Sequence, residues 1–383
     1  MSRVLIIGGG IGGLTTALAF HRKGWDVAVY EAAPELRPVG KGIWAPANAM
    51  QVLNKLGLAA SVAEAGCPLD TIQLRTKSGT VLSTFDLGPV KTRYGHTTIS
   101  IHRAALIGIL SAGLPTGTLH LGKRFTRFES SPDQVVAYFE DGSAAAGDLL
   151  VGADGIRSVV REQLFLGVQF RYSGQTCYRG ISEMELPSEL SNTCWEVWGG
   201  RYRFGFSSIG HGELYWFAPV NALAGGTVQT SAIAAKLADW YADFPSPIPE
   251  IIAASSIGDV ICTDLFDFPP IPRWHEGRVV VIGDAAHAMT PNLGQGGAQA
   301  IEDAMVLAEE LSRTDAIAQA LGRFERIRMP RVKWVANTAG RLGRLAHVQN
   351  PLARTLRDFA LRWTPERVNR KQLDRLCRLD HGQ

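Results

Sequence analysis

The chain opens on "RVLII", four apolar residues in unbroken succession after Arg3, and then breaks into glycines. A continuous apolar run that short, bounded by Gly8, Gly9 and Gly10, predicts a strand buried on both faces, as in a parallel sheet. "GGLTTALAFHRKG" predicts a helix stopped by Gly24. "WDVAVYE" predicts a second strand, so residues 3–31 form one βαβ unit. Residues 46–58 predict a short helix ending at Gly57. "IQLRTKSGTVLSTF" predicts a hairpin that turns at Ser78-Gly79. "TTISIHRAALIGIL" passes from strand to helix at His102-Arg103. Residues 126–155 predict short antiparallel strands, a turn at Asp141-Gly142 and a buried strand running into Asp154-Gly155.

From Tyr172 the pattern changes. "CYRGISEMEL", "CWEVWG", "RYRFGFSSI" and "ELYWFAPV" are four β-type runs rich in aromatics, and they predict a separate antiparallel sheet. Residues 227–256 read as mostly helical. "RVVVIGD" returns to a buried strand, helices follow at about 296–313 and 316–346, and the tail is basic and amphipathic. The β-rich stretch lies between pieces of α/β character. The expected fold is therefore α/β, with a dinucleotide-binding unit over 1–171 resumed at 266–345. An inserted substrate-binding β-sheet unit fills 172–265, and a helical tail covers 346–383.

Composition narrows the function without naming it. At 383 residues the chain exceeds one small core. The 46% hydrophobic and 20% charged content is that of a soluble globular protein. A formal charge of +3 gives no electrostatic reason to expect nucleic acid. The cysteines (Cys67, Cys177, Cys194, Cys262, Cys377) are scattered and odd in number, with no CxxC, and the nine histidines show no ligand spacing. Neither a disulfide framework nor a metal site is expected, and a reducing, cytoplasmic setting is the default. The opening apolar run is too short for a signal peptide or a membrane span. The 41 glycines cluster in "IGGGIGG", "VGKG" and "LGQGG", which suggests close backbone approach to a ligand.

Four stretches carry the chemistry. In the first, Gly8, Gly10 and Gly13 form GxGxxG between a strand and a helix, with Gly12 inside the motif and Glu31 at the end of the next strand. Such a turn brings backbone amides to a pyrophosphate at a helix N-terminus, and the acid accepts hydrogen bonds from a ribose diol. The motif alone does not separate FAD from NAD. In the second, Arg103 stands at a strand-to-helix turn, either as a surface cation or as a partner of a dinucleotide. In the third, Asp154 ends a buried strand, where capping a helix and serving a ligand are compatible. In the fourth, Asp284 ends "VVVIGD" and is followed by Pro291, Gly294, Gln295, Gly296, Gly297 and Ala298, which lead into a helix. A helix N-terminus there stabilises the negative charge of a reduced flavin.

These four elements, in this order, resemble the class A FAD-dependent monooxygenases over roughly residues 3–345. The resemblance implies a Rossmann-like FAD domain of the GR2 type with the β-sheet insert. It places non-covalent FAD on Gly8, Gly10, Gly12, Gly13, Glu31, Ala32, Arg103, Phe125, Asp154, Asp284 and the segment Pro291–Ala298. NADH or NADPH acts as a transient co-substrate, since no second nucleotide-binding fold is present. "RYRFGFSSIGHGELYWFAPV" and "MTPNLGQGGAQAIEDA" look most like the branch with urate hydroxylase and zeaxanthin epoxidase. Arg203 and Tyr215 fall where the urate enzyme places its substrate arginine and tyrosine, so they are the catalytic candidates, although Arg203 also reads as a framework residue. Asn292 stands where that enzyme has aspartate, which argues against urate.

The activity implied is oxygen transfer from a flavin C4a-hydroperoxide to a small aromatic, heteroaromatic or olefinic substrate. The co-substrate is O2, no integral membrane segment is involved, and the protein is a monomer or homodimer. Two alternatives stand beside it: a flavin-dependent reductase or dehydrogenase of a lipid-like olefin, and a non-catalytic flavin-binding sensor. A Trp-x-Trp-x-x-Pro motif is absent, so a halogenase is not expected. His287 reads as structural. Asp267, Trp216 and Phe217 suit core and pocket equally, and the basic tail reads as a solvated helix face.

Overall fold

A computed structural model describes residues 2–36, 41–225, 230–314 and 316–379; Gly40 of the "VGKG" cluster and the start of the 227–256 segment lie outside them. The strand Arg3–Ile7 is the centre of a six-stranded sheet, and four of its five residues are buried. It pairs in parallel with Asp26–Tyr30 on one side and Leu149–Gly152 on the other. Val279–Val281 pairs in parallel with Leu149–Gly152, so strands over a hundred residues apart share one sheet. The helix Ile11–Arg22 packs against the helix Gly296–Leu311, and the two enclose the main apolar core with the sheet.

A seven-stranded sheet forms the second body of the fold. Its centre is Arg171–Glu183, Glu213–Asn221, Tyr202–Gly210 and Thr193–Gly199, joined antiparallel in that order, with Ile261–Asp267 at one edge. The four aromatic runs are therefore strands of one sheet, but the sheet is not separate from the earlier chain. The hairpin Thr71–Thr76 and Val81–Asp86 completes it, through a parallel pairing of Thr71–Thr76 with Thr193–Gly199. Side chains alternate across each strand. Phe204, Phe206, Trp216 and Ala218 face the helices Thr230–Tyr241 and Ile248–Ala253 and form a second core there.

The predicted short helix ending at Gly57 is Ala47–Lys55, and Gly57, at φ +73°, separates it from a further helix, Ala59–Glu64. The long helix Ile317–Ala346 runs through Pro330. The tail is also two helices, Pro351–Arg362 and Glu366–Cys377. The second is not a free solvated element. Gln51 donates to the Cys377 carbonyl at 2.8 Å, and Tyr94 donates to Asp374 at 2.7 Å. The first leaves Leu352, Leu356, Phe359 and Trp363 62–78% exposed along one face. Among the described residues, no helix is long and apolar enough to cross a membrane.

Candidate functional site

The glycine turn divides its labour. A Cβ at Gly8 would lie 2.4 Å from the Ala153 carbonyl oxygen, and one at Gly13 would lie 1.9 Å from the Gly8 oxygen, so both residues let backbone meet backbone. Gly12 is the contact with Ala300 on the crossing helix. Gly10 faces open space. It is also the N-cap of Ile11–Arg22, a helix start with no side-chain cap and no acid in its first turn. Free amides and the positive end of a helix dipole thus face outward at Gly10, which suits a phosphate. Glu31 accepts from the amides of Gly9 at 2.6 Å and Ala33 at 2.8 Å, with Ala32 between the two in the bend. A carboxylate has further lone pairs for a ribose diol.

The N-cap of the helix Val159–Leu164 is Ser158, and Asp154 adds one oxygen that accepts from Val159 and Val160 at 2.8 and 3.2 Å. Its other oxygen is buried without a partner, and burial lifts its pKa. An orphaned buried acceptor beside the glycine turn marks a place that a polar ligand group would satisfy. Phe125 begins the strand Phe125–Ser130 and its ring is buried in the main core. Arg103 starts the helix Arg103–Ala112. Burial lowers its pKa, and the charge of Asp284 opposes that shift. Asp284 is solvent-exposed and lines the cleft, with protein closely packed around it. Desolvation by that packing raises its pKa, against His287 and Arg103.

A cleft of about 270 Å³ lies where the two bodies of the fold meet. Asp284, Pro291, Gly294, Gly296 and Gly297 form one wall. Gly296–Leu311 starts there with neither a side-chain cap nor an acid in its first turn. A Cβ at Gly296 would meet only Asp284, at 4.0 Å, whereas Gly294 lies against Trp44 and Gly297 against Ile43. The same segment also has a hidden side. Gln295 bonds Asn48 and Gln299 beneath the loop, and Ala298 is 1% exposed in the core, so neither side chain faces the cleft.

The opposite wall is one face of the seven-stranded sheet. Arg179 pairs with Phe217 and Cys177 with Pro219, while Gly205 pairs with Phe217 and Ser207 with Tyr215. Arg203, two residues before Gly205, shares that face, so both catalytic candidates line the cleft. Burial raises the Tyr215 pKa, and the nearby Arg179 charge opposes the shift. Burial thus favours the protonated phenol of Tyr215. Arg203 is only 1% exposed. Its Nε and Nη2 donate to Glu196 Oε1 at 3.0 and 2.5 Å, and its Nη1 donates to Asn292 Oδ1 at 2.7 Å.

Several of these neighbours carry no sequence motif. Arg179 and Cys177 share their strand's alternation, and Phe217 and Pro219 repeat that of Tyr215; this period of two was the available signal. Glu196 was hidden because its partner is Arg203, and Trp44 and Met289 had no signal. Of the equivocal residues, Phe217 lines the cleft, Trp216 is core and donates to Ser255 at 2.9 Å, and Asp267 is ion-paired with Arg171 at 2.8 Å. His287 is buried against Trp274 and bonds Asp303 at 2.6 Å, as a structural residue does.

With this geometry in place, comparison with known proteins is informative. Residues 1–201 and 271–339 match the model of the FAD binding domain family. The chain is 38% identical over 359 residues to the aurachin C monooxygenase/isomerase of Stigmatella aurantiaca, covering 94% of this chain and 93% of that one. It is 33% identical over 379 residues to the 2-heptyl-3-hydroxy-4(1H)-quinolone synthase of Pseudomonas aeruginosa, covering 97% of each. Among solved structures, Klebsiella pneumoniae HpxO complexed with FAD and uric acid superposes with a TM-score of 0.90 at 31% identity, over 98% of this chain and 96% of that one.

Proposed function

The chain belongs to the FAD binding domain family and is a FAD-dependent monooxygenase, and on that premise we propose that it oxygenates a heteroaromatic ring held against Tyr215 and Phe217. The observation that carries this reading is the facing of two walls. A sheet surface with an aromatic ring, a phenol donor and an arginine stands across about 270 Å³ from a glycine-lined helix start and Asp284. One of the named relatives, at 33% identity, is a quinolone synthase, which supports a heteroaromatic ring as substrate.

The residues suit FAD. Gly10 and the start of Ile11–Arg22 would hold the pyrophosphate and Glu31 the adenosine ribose. Arg103 and Asp284 would hold the polar chain between them and the ring, and Gly294, Gly296 and Gly297 would border the ring itself. Bound FAD supplies the redox centre that accepts hydride from NAD(P)H and activates O2. The chain's own part is positioning and charge. Arg179 stands close enough to Tyr215 for its charge to act on the phenol, and the Tyr215 proton is offered to a carbonyl or ring nitrogen of the substrate. Phe217 offers an aromatic surface for the ring, and the uncapped helix start at Gly296–Gly297 would stabilise negative charge on a group bound there. Arg203 acts through others, holding Asn292 and Glu196 in the cleft wall. The units 1–171 and 266–345 carry the cofactor, and 172–265 with the 71–86 hairpin carries the substrate wall.

The experiment is a screen of heteroaromatic compounds with the FAD-loaded protein, following NAD(P)H oxidation and incorporation of isotope-labelled O2. Ligand-stimulated oxidation with label in the product is expected. Stimulated oxidation that reduces an olefin without oxygen uptake would instead establish the reductase alternative.

A further inference from the structure

The loop at 291–295 has a second side. Asn292, with Trp44 and Glu196, borders both the cleft and an adjoining cavity of about 170 Å³. That cavity lies between the hairpin (Leu74, Phe85), the long helix (Trp334, Leu342) and the last helix (Leu373, Leu376). Three small apolar clusters surround it without fusing: Leu74, Leu82, Trp198 and Ala346; Ala47, Val90 and Cys377; Leu69, Leu87 and Cys194. Small satellite clusters beside a main core are ordinary, and here an open space lies between them. Phe85 and Leu342 of the first, and Trp44 and Leu373 beside the third, stay only partly buried and line the space. The lining is mostly apolar, with Glu196, Asn292, Gln295 and Gln372 also part of it, and a mainly apolar cavity favours apolar ligands.

We infer that this cavity is the second half of the substrate site and receives a linear hydrocarbon chain carried by the ring. The substrate class is then an alkyl-substituted heteroaromatic, with its polar ring at Tyr215 and its chain passing between Trp44 and Asn292. The chain's location rests on the ring reading above. Its chemistry rests on the cavity: a hydrocarbon suits the leucines, Phe85 and Trp334, while the polar lining residues Glu196, Asn292 and Gln295 are already bonded within the protein. The last helix, held to the body through Gln51 and Arg331, is the outer wall of this subsite.

The test uses the FAD-loaded full chain and two ligand series, 2-alkyl-4-quinolones and plain 1-alkanols, each lengthened one methylene at a time. Calorimetric affinity should tighten about four-fold per methylene until the cavity is full and then level off. Leu373→Trp, which fills the cavity, should bring the plateau to shorter chains. Leu342→Ala, which enlarges it, should move the plateau to longer ones. Opposite shifts from the two variants separate chain binding from damage to the fold. Flat affinity across both series overturns the inference, as does a chain-length dependence that neither variant moves. If the alkanols show the dependence and its shifts while no quinolone binds, the chain subsite stands and the ring reading falls. If the quinolones bind equally at every length, the chain subsite falls alone.

Discussion

Replacing Arg203 with methionine separates the two roles open to this residue. The guanidinium is 1% exposed, and its Nε, Nη1 and Nη2 are all committed to protein, two to Glu196 and one to Asn292. Methionine retains an apolar stem but no donor. It strands the Glu196 carboxylate, itself 7% exposed, with Trp198 Nε1 at 2.6 Å as its remaining donor. Breaking a buried pair from one side costs about 3–5 kcal/mol. An unfolding entropy of ~2.1 cal/mol/K per residue over a chain of this length corresponds to about 0.8 kcal/mol per degree, so Tm should fall by about 4–6 °C. Differential scanning calorimetry of the FAD-loaded protein reads this directly. Adding Glu196→Gln removes the stranded charge and leaves an acceptor for Trp198, so the double variant should regain at least half of the loss. A Tm unchanged within a degree, with KM for ring substrates sharply raised, would refute the framework role and assign the guanidinium to the substrate. A double variant no better than Arg203→Met would refute the charge argument.

Two further outcomes are expected. Asp284→Ala should weaken FAD binding about 10- to 150-fold, from loss of a charge-assisted hydrogen bond worth about 1.5–3 kcal/mol; flavin fluorescence titration reads it, and full affinity in the variant removes Asp284 from the site. Burial and the nearby Arg203 charge hold the His347 pKa down at about 4. The unfolded chain therefore binds the proton first. This part of the stability is complete above about pH 6.5 and is lost as pH falls to about 4, amounting to about 3 kcal/mol. Denaturant titrations from pH 4 to 7 should show that slope in the native protein and its loss in His347→Gln. An unaltered slope would clear His347 of the effect.

The proposed nucleotide end of the site could be read from the sequence because its signal is local. Gly8, Gly10 and Gly13 sit within six positions, between a strand and a helix whose patterns are plain, and Glu31 ends the adjoining strand. Asp284 was legible for the same reason, as a carboxylate that closes a buried run. The substrate wall was half legible. Tyr215 and Arg203 could be placed on neighbouring strands, but their common face depended on register, which the pairing of Ser207 with Tyr215 supplies. The parallel pairing of Thr71–Thr76 with Thr193–Gly199 was not legible, because the hairpin looks complete in itself and its partner lies over a hundred residues away.

The least legible part lies beneath the loop. Glu302 and Asp303 look like the polar face of an amphipathic helix, yet both are 0% exposed. Arg328 bonds both, at 2.7 Å to Asp303, and Arg331 donates to Glu302 at 2.6 and 2.7 Å. A separation of some 25 to 29 residues has no sequence signature, so the pairs emerge only when the long helix folds back. Such networks are weak evidence for stability, since desolvation offsets much of their attraction. Their partners point to positioning instead. Asp303 accepts from the Gly283 amide at 3.0 Å, beside Asp284. Glu302 holds Asn48, which holds Gln295 in the loop. Arg331 also donates to the Leu376 carbonyl at 3.0 Å, on the outer wall of the apolar cavity. One buried carboxylate pair thus sets the Asp284 turn, the glycine loop and the last helix relative to one another. The cofactor wall and the proposed chain subsite are fixed by the same charges, so a change in either carboxylate should disturb both together.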